Sequence, residues 1–79
     1  MPGNKLIIER LLSLCRTYNE SCKNGITADG LYIRRRLNIT IDKQLQVVQN
    51  AYTSVKLEKD NRQRYLRLIV DGKTYDIQT

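Results

Sequence analysis

The apolar residues of this chain change their period once, near Val55, and that switch limits the folds open to it. Upstream they recur every three or four residues, as in helices with one buried stripe. Downstream they alternate, as in strands with one buried face. In the first region Leu6, Ile7, Leu11, Leu14, Cys15 and Tyr18 come after Pro2-Gly3-Asn4. A helix is expected over about residues 5–18, with Asn4 as its N-cap. Ile8 and Leu12 widen its stripe beyond half of a helical wheel. Either part of that face is a dimer or partner seam, with Ile8 and Leu12 as the contact, or a small core wraps the helix on two sides.

A polar connector from Asn19 to Gly25 ends in the turn signal Asn24-Gly25. Thr27 then suits the N-cap of a second helix, with Ala28, Leu31, Tyr32 and Leu37 on its inner side. Arg34, Arg35 and Arg36 are consecutive there, so they project in three directions about 100° apart. Asn38-Ile39-Thr40 reads as a tight turn: Asn tolerates left-handed backbone and Thr40 can cap another helix. That third helix is expected over about residues 41–53, with Ile41, Leu45, Val48, Tyr52 and Val55 on its core face. Lys43, Gln46, Gln49, Asn50 and Thr53 occupy the opposite side, with Asp42 and Gln44 at its margins. Gln and Asn can pair bidentately with adenine and Lys can reach guanine or phosphate, although a Gln-rich face is also ordinary solvent chemistry.

Beyond the switch, Val55-Lys-Leu-Glu-Lys59 alternates, Asp60-Asn61-Arg62 is a turn cluster, and residues 64–70 alternate again. Asp71-Gly72 is a type I′ turn signature, and Lys73 to Gln78 returns as a third antiparallel strand. Leu66, Leu68 and Val70 share one face, joined by Tyr75 and Ile77 against the helices. Lys56, Lys59, Arg62, Arg64 and Arg67 make the first hairpin cationic.

Composition narrows the function classes. The chain has 79 residues, one domain close to the size where a single core is marginal, so a multi-domain enzyme with a deep cleft is not expected. Fourteen Lys and Arg against 8 Asp and Glu leave a net charge of +6, which points to a polyanionic partner, nucleic acid above all. No run of about 18 apolar residues and no apolar leader suggest a membrane, so a soluble intracellular protein is expected. There is no His, and Cys15 and Cys22 are the only cysteines, too few for a Cys/His zinc site. Cys15 falls on the apolar stripe as a core residue, and Cys22 reads as a free thiol. The aspartates are scattered among turns and caps without paired spacing, so no catalytic residue, metal, cofactor or small-molecule ligand is expected.

The order helix, helix-turn-helix, cationic hairpin resembles the winged helix-turn-helix superfamily over about residues 5–70. The resemblance implies an α+β fold: a three-helix winged helix-turn-helix domain over residues 1–79 with a C-terminal antiparallel hairpin or three-stranded meander. It implies that Lys43, Gln44, Gln46 and Asn50 face base edges, that Lys59, Arg62 and Arg64 form the wing, and that Arg34, Arg35 and Arg36 contact phosphates. Two features depart from the pattern: no short strand separates the first two helices, and a third strand succeeds the hairpin, which is then either a free wing or part of a packed sheet. On this reading the protein is a small, non-enzymatic transcriptional regulator that binds double-stranded DNA, as a possible homodimer through its first helix. Two alternatives stand beside it. One is a protein-interaction or adaptor domain. The other is an RNA- or nucleic-acid-binding factor without sequence preference, which stacks bases on Tyr32, Tyr65 and Tyr75.

Overall fold

The chain forms five elements in order: α1 (Gly3–Cys22), α2 (Ala28–Ala51), β1 (Val55–Lys59), β2 (Tyr65–Val70) and β3 (Lys73–Asp76). The computed structural model describes residues 3–23 and 28–77. The α+β class and the antiparallel three-stranded meander, in the order β1-β2-β3, agree with the change of period.

The helical half differs from expectation. Asn38, Ile39 and Thr40 lie in the middle of one 24-residue helix, so the turn, a separate third helix from Ile41 and the helix-turn-helix are not formed. The reason is legible in the residues. Between Leu31 and Val70 there is neither Gly nor Pro to interrupt a helix. The inward stripe Leu37, Ile41, Leu45, Val48 and Tyr52 keeps its period straight through the supposed turn. Thr40 back-bonds within the helix, its Oγ1 donating to the Arg36 carbonyl at 3.0 Å. The Asn38 side chain is engaged by Tyr65 rather than by local backbone. α1 is also longer than expected, so Asn4 falls inside the helix instead of capping it. The Asn24-Gly25 turn and the Thr27 cap lie outside the described residues.

α1 packs on both α2 and β2, while α2 packs on β1. This placement settles why the α1 stripe is so broad. Ile8 and Leu12 are only 4% and 6% exposed, so of the two alternatives the wrapped core accounts for them, and neither is left at the surface as a dimer or partner contact. They join Leu11, Cys15 and Tyr18 of α1, Ile41 and Val48 of α2, and Tyr65, Leu68, Val70 and Ile77 in one cluster. Leu31 and Tyr32, expected inside, are 53% and 61% exposed. Burial pushes the Cys15 thiol up to about 12, against a smaller opposing pull from Arg16 and Lys59. Both cysteines are free.

A bulge sets the register of the sheet. Glu58 pairs with Arg67 and Lys59 pairs with Tyr65, so Leu66 is an extra residue on β2. The inserted residue turns Tyr65 onto the inner face with Leu68 and Val70, where alternation alone places Leu66. The Leu66 carbonyl instead accepts from the Ile77 amide at 3.0 Å. The β1–β2 hairpin thereby supplies two of the three strands of a packed sheet and is not a free wing. At the far end, Asp71 (φ 48°) and Gly72 (φ 88°) make the tight turn between β2 and β3.

Candidate polyanion interface

Tyr65 fixes the position of the β1–β2 loop. The Asn19 side chain of α1 pairs with its backbone as a neighbouring strand would: Nδ2 donates to the Tyr65 carbonyl at 2.7 Å, and Oδ1 accepts from the Tyr65 amide at 2.9 Å. The Tyr65 hydroxyl donates to Asn38 Oδ1 of α2 at 2.9 Å. Its ring meets that of Tyr18 edge-on, with centroids 5.1 Å apart, and Lys59 Nζ sits 5.1 Å from its centroid. Burial holds the phenol well above its usual pKa. The loop itself is closed by Asp60, whose Oδ1 accepts from the amides of Arg62 (2.9 Å) and Arg64 (3.0 Å), with Gln63 in the left-handed region at φ 66°.

This clamp brings together cations from distant parts of the chain. Arg16 of α1, Lys23 just past its C-terminal end, and Arg62 and Arg64 of the loop line one open cleft of about 520 Å³, with Asn19, Glu20, Asp60 and Ile77. Lys59 lies beside it, in a shallower depression that shares Asp60 and Arg62. The two carboxylates in the cleft are already engaged: Asp60 with loop amides, and Glu20 with Lys23 at 3.3 Å. The Glu20–Lys23 pair is exposed, so screening leaves it weak and exchangeable. Arg16 Nη2 reaches the Asp76 carbonyl at 3.5 Å and so leans toward the β3 edge.

Of the residues singled out from sequence, Arg62 and Arg64 line this cleft and Lys59 stands beside it. Arg16 and Lys23 are not singled out from sequence, because Arg16 reads as an ordinary solvated position on the first helix and Lys23 falls in the polar connector. Their seven-residue spacing becomes a shared flank only because the helix runs on to Cys22. The α2 set lies elsewhere. Gln44 cannot face a base edge, since its Nε2 donates to the Ile7 carbonyl of α1 at 3.1 Å. Arg34 is half-buried, whereas Arg35, Arg36, Lys43, Gln46 and Asn50 are exposed. Gln44 marks the α1-facing flank of α2 and Asn38 the sheet-facing flank. Arg36, Lys43 and Asn50, seven residues apart, therefore run along the side that faces neither. No residue of the α2 set lines the cleft.

Arg67, counted with the hairpin cations, sits mid-sheet with its Nε 3.3 Å from Glu58 Oε1. Among the described residues no cluster of His, Cys, Asp or Glu could hold a metal ion, and no helix is long and apolar enough to cross a membrane. No protein-family model, curated protein or solved structure matches the chain.

Proposed function

We propose that the protein binds double-stranded DNA by its phosphate backbone, through the cleft between the C-terminal half of α1 and the β1–β2 loop. The observation that carries this is the convergence of Arg16, Lys23, Arg62 and Arg64 on one open surface, held by the Asn19–Tyr65 pairing. Arginine forks and lysine ammonium groups suit phosphate oxygens, and release of counterions supplies the affinity. Contacts of this kind position a duplex without reading its sequence. Readout by a recognition helix has no support from α2, which lacks the turn and commits Gln44 to α1. Base stacking has little support either. Tyr18 and Tyr65 are buried, Tyr52 is half-buried, and Tyr75 is half-buried with Lys73 over its ring, which leaves Tyr32, on a different face and under Arg36, as the exposed ring. A duplex is thus favoured over a single strand.

The test is fluorescence anisotropy with a labelled random-sequence duplex at about 50 and 200 mM salt. Four phosphate contacts at a slope near 0.9 each predict a loss of about two orders of magnitude over that range. The doubles Arg62→Ala/Arg64→Ala and Arg16→Ala/Lys23→Ala should each weaken binding to all sequences alike and lower the slope by about two. Salt-independent binding, or cleft variants that bind like the wild type, would overturn the proposal.

A further inference from the structure

The helix α2 carries more apolar surface than its own fold covers. Leu31, Tyr32, Ile33, Ile39 and Val47 are 53%, 61%, 49%, 52% and 44% exposed. Tyr32, Ile39 and Val47 lie on the side that faces neither α1 nor the sheet, interleaved with Arg36 and Lys43. The positions 32, 36, 39, 43, 46 and 50 are spaced alternately by four and three, the period of a coiled-coil seam. Arg36 lies over Tyr32, its guanidinium carbon 5.8 Å from the ring centroid and its Nη1 3.3 Å from the hydroxyl, so the two present one amphipathic platform.

We propose that this face docks an acidic amphipathic helix of a partner protein, whose apolar residues cover Tyr32, Ile39 and Val47 and whose carboxylates meet Arg35, Arg36 and Lys43. Charge decides the occupant. Three cations stand here against Asp42 alone, and the ion pairs among the described residues, Lys23–Glu20 and Arg67–Glu58, lie on other elements. A second copy brings three more cations to the seam and only another Asp42 to meet them, which leaves the charge unbalanced. A duplex satisfies the cations and leaves Ile39 and Val47 against sugar and phosphate. An acidic helix satisfies both. Tyr32 to Asn50 spans about 27 Å of helix, so the partner segment is about 20 residues long. No cleft residue takes part, so this inference stands or falls separately from the DNA-binding proposal.

The probes are a fluorescein-labelled peptide of about three heptads with Leu at the seam and Glu on its flanks, and the same peptide with Lys for Glu. Micromolar binding of the acidic peptide and none of the basic one is expected. Arg36→Glu/Lys43→Glu should weaken the acidic peptide at least about tenfold and create binding to the basic one. Ile39→Asp should abolish binding, while Arg62→Ala/Arg64→Ala leaves it unchanged. Circular dichroism melts of these exposed-site variants should match the wild type. Several outcomes would overturn the inference: no binding of the acidic peptide at about 100 µM, or binding indifferent to the α2 variants. So would sedimentation that shows a dimer lost on Ile39→Asp, or DNA affinity that depends on Arg36 and Lys43 rather than on the cleft.

Discussion

The Tyr65 hydroxyl donates to Asn38, and the Tyr65 backbone pairs both ways with Asn19, so one residue ties β2 to both helices. Tyr65→Phe strands a half-buried Asn38 oxygen and should lower the unfolding free energy by about 1–2 kcal/mol, read from urea titrations. Asn19→Leu leaves an amide and a carbonyl of the bulge unpaired. It should cost about 2 kcal/mol or more, and it should weaken DNA binding too, because the loop is no longer clamped. Cys15 adds a dependence on pH. Its thiol rises from 9.0 to about 12 on folding, so above pH 9 the unfolded chain gives up a proton that the folded chain keeps. Stability is therefore present in full below pH 9 and falls as pH rises toward 12, with Tyr65 acting in the same direction higher up the scale. Urea titrations at about pH 7.5 and 10 should show the fall, and Cys15→Ala should flatten it. Cys15 is legible as a core residue from its place on the α1 stripe, whereas Tyr65 is not. Alternation has no means of announcing a bulge, and an inserted Leu66 moves every inward residue before it to the other face.

Among the elements, the three strands and the first helix were legible because their signals agree: alternation, a type I′ pair at Asp71-Gly72, and an apolar stripe near helical period. The long α2 was misread because Asn38 and Thr40 are typical of turns as isolated residues. The unbroken stripe from Leu37 to Tyr52 outweighs them, since continuing the helix retains both hydrogen bonds and core contacts. Proline separates the two readings. Thr40 is exposed, and in a turn at residues 38–40 a Pro there is tolerated. In the middle of a helix it removes a hydrogen bond and clashes with the preceding turn, so Thr40→Pro should cost about 3 kcal/mol or more. A urea midpoint unchanged from the wild type would restore the turn. At the other end of the molecule, a Cβ on Gly72 would meet nothing within 4 Å, yet the backbone there is left-handed at φ +88°. Gly72→Ala should therefore destabilise by about 1 kcal/mol through backbone strain alone.

At the scale of the whole molecule, the two surfaces lie on opposite flanks. The cleft is on the side of α1 that leans on the β3 edge through Arg16, whereas the outer stripe of α2 faces away from α1. Between them stands the core that Tyr65 and Ile41 help to fill. The candidate site was only half legible for this reason. Each cation was visible in the sequence, but which cations share a surface depends on the length of α2 and on the bulge, and neither is a local signal. The arrangement also predicts how the two proposed ligands interact. They share no residue, and the Tyr65–Asn38 hydrogen bond that joins the clamp to α2 lies on the inner side of that helix. A duplex and an acidic helix should then bind almost independently, with a coupling free energy near zero. Titrating the acidic peptide into protein saturated with duplex at about 50 mM salt should give a dissociation constant within about twofold of that for the free protein. The same must hold in reverse, because binding couplings are reciprocal. Mutual exclusion would mean that both ligands compete for one surface, and the division of the molecule into a DNA flank and a protein flank would fail. Moderate mutual weakening that fades with salt would instead report only the overlap of two ligands of like charge on a narrow protein, 20 by 15 Å across its shorter axes, and leave the division intact.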